Sequence, residues 1–181
     1  MPLTIIVPDR EFYDPIKERF INIKGQKLSL EHSLVSITKW ESKWHKPYLN
    51  KNKKTAEESL DYLRCMCITQ DVNPLIFRGL DAAIIQEITS YINDPMTATK
   101  LRKMVTKPNR EIITNELIYY WMVEFGIPFS PCEKWHLNRL MILIEIAARK
   151  NSPVKKRSKT AQAKEWAMLN AQRRAAIGTR G

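Results

Sequence analysis

The chain has 181 residues, 44% hydrophobic and 27% charged, which is enough for one domain with its own core plus an appended segment. Five glycines in all argue against a turn-rich all-β sandwich and against a glycine-rich phosphate loop. No stretch approaches the roughly 18 consecutive apolar residues of a membrane span. The first ten residues do not resemble a secretory signal, so we expect folding in a cytoplasm.

The net charge of +11 is unevenly distributed along the chain. Residues 147–181 contain ten Lys or Arg and one acid, whereas the remaining residues carry a net charge of only +2. We therefore predict a single domain over residues 1–149. Residues 150–181 are predicted to form a basic linker and C-terminal helix, with no core of their own.

The N-terminal thirty residues have the pattern of a small antiparallel sheet. Residues 3–7 are rich in β-branched side chains, which predicts a strand that ends at Pro8. Two alternating runs, residues 20–23 and 26–30, flank Lys24-Gly25, which predicts a hairpin turning at that glycine. Residues 11–15 are predicted to be extended or irregular.

A helix from about His32 to His45 is predicted next, because its apolar residues recur at three- and four-residue steps. Two tryptophans one turn apart, Trp40 and Trp44, dominate this face. They could pack in a core or form a docking surface for a partner, since tryptophan is enriched in both settings. Periodicity favours the core but leaves both interpretations open.

Further helices follow in chain order. Thr55 and Glu58 form a capping box for the second helix, and Asp81 is predicted to cap a third with a stripe of isoleucines. Thr114 begins a helix so apolar on all sides that we expect it to be central and buried. Residues 133–148 and 159–176 complete the helices. The predicted fold is α+β and mostly α-helical: a small N-terminal antiparallel β-hairpin sheet packed on about five helices, plus a basic C-terminal helix on a linker.

Motifs for catalysis or metal binding are weak. Cys132 and His136 stand four residues apart, and Cys65 and Cys67 two apart, but a structural zinc site usually needs two tight pairs of ligands. Three cysteines do not suggest a disulfide framework, so we expect reduced thiols. No nucleophile–base motif or phosphate-binding loop is present. The sequence therefore predicts a non-enzymatic protein without catalytic, metal or cofactor-binding residues.

The basic C-terminal segment is the stronger candidate for binding. Its cations could neutralise phosphates of nucleic acid, or the segment could order on an acidic protein partner, and a protein partner is favoured. With the tryptophan helix, it supplies the predicted partner-binding residues: Trp40, Trp44, Lys155, Lys156, Arg157, Trp166, Arg173 and Arg174.

Several strings along the chain resemble a family of small proteins encoded by long-tailed bacteriophages. The most specific is Trp40-Glu41-Ser42-Lys43-Trp44-His45-Lys46-Pro47. The resemblance continues through residues 61–66, 113–122 and 135–140 and ends in residues 169–179, so it covers nearly the whole chain.

The resemblance implies a tail assembly chaperone, which holds the tape-measure protein soluble while tail-tube subunits polymerise around it. Its expected location is the host cytoplasm, without membrane attachment. One alternative is a structural component of the tail or neck within the virion. A second is a nucleic-acid-binding protein acting through residues 150–181. Homo-oligomerisation and the identity of the partner stay open at this point.

Overall fold

The structure is a computed structural model that describes residues 2–14, 18–50, 52–101, 111–151 and 159–178. The chain divides into two compact units, Met1–Ala148 and Arg149–Gly181. The described residues form four short strands, seven α-helices and one 3₁₀ helix. The predicted α+β, mostly helical fold class is confirmed.

The four strands are the two arms of one interrupted hairpin. Their bounds are Leu3–Val7 (β1), Arg10–Asp14 (β2), Arg19–Ile23 (β3) and Gln26–Leu30 (β4). β1 pairs with β4 and β2 pairs with β3, both antiparallel, with Leu3 opposite Leu30 and Arg10 opposite Ile23. The two pairings have the same register, so they belong to one long hairpin. Its first arm is β1 followed by β2, interrupted at Pro8-Asp9, and its second arm is β3 followed by β4, interrupted at Lys24-Gly25.

The predicted hairpin turn at Lys24-Gly25 is therefore wrong, although both flanking strands exist. The prediction that residues 11–15 are extended or irregular was also incomplete, since most of them lie in β2. At Gly25 the backbones of the two arms lie close together. A Cβ built on it would be 2.6 Å from the carbonyl oxygen of Val7 and 2.7 Å from the amide nitrogen of Asp9. The glycine thus permits a close backbone approach opposite Pro8, which cannot donate a ladder hydrogen bond.

The first three α-helices agree closely with the sequence signals. They are Leu34–Trp44 (α1), Ala56–Met66 (α2) and Ala82–Asn93 (α3), with a 3₁₀ helix at Pro74–Gly79 before α3. Ser33 caps α1. Both hydrogen bonds of the predicted capping box join Thr55 and Glu58. Asp81 accepts from the amide of Ile84, as predicted.

The later helices are Asn115–Glu124 (α4), Phe129–Cys132 (α5), Leu137–Asn151 (α6) and Lys159–Ile177 (α7). The expectation that α4 is central and buried holds for only one of its faces. Ile118 and Met122 are buried, but Tyr120 is 60% and Val123 66% exposed. The helix packs one face on the core and presents its other apolar side chains at the surface. Because its sequence is almost uniformly hydrophobic, the sequence alone could not show which face is buried.

The core lies within the first unit. It joins the inward residues of β1 and β4 to α1, α2, α4 and α6, and its fully buried members include Leu28, Leu30, Leu34, Ile37, Met66, Ile118, Met122 and Leu140. Of the described α7 residues, 163–177 are all exposed. No helix of the described residues has the length and apolarity to cross a membrane.

Replacing Gly25 with alanine should destabilise the fold by about 1–3 kcal/mol, because the new methyl group collides with backbone atoms that cannot easily move. Urea unfolding followed by circular dichroism measures this. The matched control is Lys24→Ala at the neighbouring exposed position, which should change stability by less than about 0.5 kcal/mol. Equal effects of the two substitutions would contradict the close approach.

Candidate functional site

The tryptophan face of α1 packs on α2. Trp40 is 1% exposed, and its indole N–H donates to the carbonyl oxygen of Glu58 at 2.9 Å. The half-buried Trp44 donates its indole N–H to the Asp61 carboxylate at 2.9 Å, and the two indole rings stack at 6.2 Å between centroids. Trp40 is therefore a core residue and is not available as a docking surface. Trp44 lies at the edge of the same cluster.

Three carboxylates are buried beneath this face. Glu41 accepts from the backbone amides of Tyr48 at 2.6 Å and Asn115 at 2.8 Å. Glu58 accepts from the ammonium of Lys46 at 2.5 Å and from the amide of Thr55. Asp61, besides its bond from Trp44, accepts from Lys43.

The pKa values of two of these groups show that they are held as anions. A hydrogen bond from Lys46 is the main cause that holds the pKa of Glu58 below its usual range. Burial would raise the pKa of Asp61, but hydrogen bonds from Lys43 and Trp44 outweigh it and lower that pKa. The two carboxylates serve as hydrogen-bond acceptors that join α2 to Lys43, Trp44 and Lys46.

A histidine–tyrosine cluster adjoins the tryptophan face, because the Tyr62 ring stacks on Tyr48, which contacts Trp40 edge to face. Nδ1 of His32 and the hydroxyl of Tyr62 are hydrogen-bonded at 2.5 Å. Nε2 of His136 bonds the carbonyl oxygen of Tyr91 at 2.9 Å, and the two imidazole centroids are 5.0 Å apart. Burial lowers the pKa of His32 to about 3 and also lowers that of His136, so both rings are neutral at pH 7. Among the described residues, no three His, Cys, Asp or Glu side chains are grouped to hold a metal ion.

An open apolar groove runs between α2, the 3₁₀ helix and α3, and we call it the α2–α3 groove. Its volume is about 310 Å³. Ile85, 48% exposed, stands on one wall. The apolar lining comprises Ala56, Leu60, Leu63, Phe77, Leu80, Ile85, Ile88 and Ile92, with Tyr48, Lys54, Ser59, Tyr62 and Thr89 also present.

A second apolar depression of about 360 Å³ lies between α4 and α6. Trp121, Phe125, Met141 and Ile142 are among its lining residues. It is less uniform than the α2–α3 groove because two acids, Glu124 and Glu145, also line it.

The described residues among the predicted binding residues belong to two different units of the chain. Trp40 and Trp44 lie in the first unit. Trp166 is 64% exposed on α7, where Arg173 and Arg174 are exposed as well. The predicted residues Lys155, Lys156 and Arg157 fall outside the described residues.

The α2–α3 groove was missed as a site by the sequence analysis, although part of its signal was visible. The isoleucines of α3 are visible in the sequence as an apolar stripe. Only Ile88 of this stripe is buried, whereas Ile85 is exposed and Ile84 and Ile92 are half-buried. Periodicity identifies an apolar face but does not tell whether another element of the fold covers it.

No protein-family profile matches the chain, and neither a curated protein nor a solved structure is significantly similar to it.

The Trp40→Ala substitution should destabilise the protein by about 3–5 kcal/mol, since it empties a fully buried site and removes the bond to Glu58. Trp44→Ala should cost clearly less, because that ring is only half-buried. Chemical unfolding of both variants provides the comparison. A smaller loss at Trp40 than at Trp44 would contradict this assignment.

Acidification should weaken the fold before its carboxylates titrate. An unfolded chain protonates its histidines near pH 6.5, whereas folded His32 does so only near pH 3, so stability falls as the pH drops below 6.5. The loss from His32 alone should reach about 2 kcal/mol at pH 5. Urea unfolding between pH 7 and 5 measures this slope. His32→Asn should flatten it and His45→Asn, at an exposed position, should not; an unchanged slope in His32→Asn would refute the assignment.

Proposed function

We propose that this chain is a non-enzymatic assembly protein of a long-tailed bacteriophage, and that it acts as a chaperone for the tape-measure protein during tail assembly. The observation that carries the proposal is the open α2–α3 groove. The whole-chain resemblance to small phage proteins, including the Trp40–Pro47 string, supports the phage context. A holding factor needs an apolar surface that covers a partner reversibly, without a catalytic step.

The groove has the chemistry that recognises one face of an amphipathic helix. Ile85, Ile88 and Ile92 recur on α3 at steps of three and four residues, and Leu60 and Leu63 of α2 stand across from them. A guest helix would insert apolar side chains at the same spacing between these two rows. Its polar face would stay in solvent.

The limited depth of the groove suits transient binding. Its side chains are already partly covered by the fold, so a guest helix would remove only part of their apolar surface from water. At about 25 cal/mol for each Å² of apolar surface, modest additional burial yields a modest affinity. A chaperone must release the tape-measure protein as tail-tube subunits polymerise, which a weak groove allows.

Part of the groove lining is polar. The ammonium of Lys54 lies 4.3 Å from the centroid of the Tyr48 ring, and both residues line the groove. A cation there favours the C-terminal end of a guest helix, or an acidic side chain next to its apolar face.

Co-expression with the tape-measure protein tests the proposal. The wild-type chain should increase the soluble fraction of the tape-measure protein and should be recovered with it in a pull-down. Ile85→Arg should abolish both effects because it places a charge in the groove. The matched control is Gln86→Arg, which adds the same charge at the next, exposed position of α3, outside the groove lining.

Both variants should have the melting temperature of the wild type, which separates lost binding from lost folding. The proposal fails if the chain leaves the solubility of the tape-measure protein unchanged, or if Ile85→Arg behaves like the control. Recovery of the chain in purified phage particles by mass spectrometry would contradict a chaperone and favour a component of the tail or neck.

A further inference from the structure

At the corner where α1 connects to α2, the positively charged side chains lie at or near the surface and the negatively charged one is buried. Among the described residues from 39 to 54, five charged side chains reach the surface or lie half-buried, and all are lysines: Lys39, Lys43, Lys46, Lys53 and Lys54. The one acid in this stretch, Glu41, is 8% exposed and turns inward to the amides of Tyr48 and Asn115. The surface of this corner is therefore cationic, although the first unit as a whole is nearly neutral.

A hollow of about 340 Å³ opens in this corner, and we call it the lysine hollow. Three ammonium side chains and two amide side chains line it: Lys46, Lys53, Lys54, Asn50 and Asn52. Trp40, Pro47 and Glu58 complete the lining.

The positive charge of the hollow is only partly neutralised. Its one acid, Glu58, is already bonded to Lys46 and to the amide of Thr55. Lys53 and Lys54 make no salt bridge within the described part of the chain. Lys54 is also partly desolvated where it stands over Tyr48: burial lowers its pKa, and the nearby charge of Glu58 offsets this only in part. A partly desolvated cation without a salt bridge of its own is a favourable site for a negative ligand.

We propose that the lysine hollow binds a phosphate group. Three ammonium groups and two side-chain amides offer more donors than the two oxygens of a carboxylate can use, whereas a phosphate presents three or more strong acceptors. The volume leaves space beyond one phosphate, so the group can belong to a larger molecule. Its source is either the backbone of a nucleic acid or a free phosphate compound, and both supply the same chemistry.

The lysine hollow differs from the basic C-terminal segment in how it binds. Lys46 is bonded to Glu58 of α2 and Lys54 lies over the Tyr48 ring, whereas Arg173 and Arg174 lie exposed on a helix of the other unit. Binding at the hollow should therefore depend on particular lysines of the first unit.

The experiment uses the full chain in two arms. In the first, fluorescence anisotropy follows binding of a labelled 20-base-pair duplex between 50 and 200 mM salt. In the second, inorganic pyrophosphate is titrated while tryptophan fluorescence is followed. This signal reports on the hollow because Trp40 lines the hollow and Trp44 stacks on Trp40. The variants are Lys53→Gln/Lys54→Gln, the matched control Lys24→Gln/Lys27→Gln at exposed positions of the same unit, and Arg173→Gln/Arg174→Gln on α7.

Loss of two phosphate contacts should reduce the slope of log affinity against log salt by about 1.8, so that the wild type loses about 12-fold more affinity than Lys53→Gln/Lys54→Gln over this fourfold salt change. The control pair should change the slope by clearly less. An effect in the duplex arm identifies nucleic acid as the source of the phosphate. An effect confined to pyrophosphate identifies a small phosphate compound.

Three results would overturn the proposal. One is the absence of binding by the wild type in both arms at 50 mM salt. Another is wild-type binding by Lys53→Gln/Lys54→Gln. The third is complete loss of binding in Arg173→Gln/Arg174→Gln, which would place the contacts on α7. The melting temperature of each variant confirms that the first unit is folded.

Discussion

Two indole N–H groups, one helical turn apart on α1, fix how that helix lies on α2. Trp40 donates to the carbonyl oxygen of Glu58 and Trp44 to the carboxylate of Asp61, so a four-residue step on one helix matches a three-residue step on the other. Buried polar groups require such partners, because an unmade bond in the core costs about 1–3 kcal/mol. A slip of one residue would leave the buried indole N–H of Trp40 without its acceptor. The contact therefore specifies one arrangement as well as stabilising it.

The buried carboxylates extend this constraint to distant parts of the chain. Glu41 joins α1 to the segment at Tyr48 and to the first residue of α4, 74 positions further on. Its position at the N-terminus of α4 is favourable, since the helix dipole stabilises an anion there. A buried carboxylate is nevertheless expensive to desolvate, and an apolar residue could fill the same space at similar stability. We infer that Glu41 contributes mainly to specificity, because it accepts only where two backbone amides converge.

Sequence patterns correctly predicted those features that depend on residues close together in the chain. The capping box at Thr55, the cap at Asp81 and the spacing of Trp40 and Trp44 each depend on residues within one or two helical turns. Gly25 was misread because a glycine between two strands signals either a turn or a close approach, and only the partner strand distinguishes them. For the same reason the apolar sequence of α4 predicted a central, buried helix, and the isoleucine stripe of α3 did not show that Ile85 is exposed. Whether an apolar face is covered depends on elements far away in the sequence, so the groove could not be predicted.

The α1–α2 contact also shapes the surface above it. It draws Glu58 and Asp61 inward, and these anions hold Lys46 and Lys43 at 2.5 Å. These two salt bridges neutralise the charges of Lys46 and Lys43. Lys53 and Lys54, in the connection between α1 and α2, form no salt bridge with a carboxylate of the described residues. The positive charge of the lysine hollow thus results mainly from the burial of the nearby acids, and less from the number of lysines. Lys54 lines both this hollow and the α2–α3 groove, so a single ammonium borders the apolar and the cationic surfaces. The α1–α2 contact therefore helps to form the lysine hollow, which shares Lys54 with the α2–α3 groove.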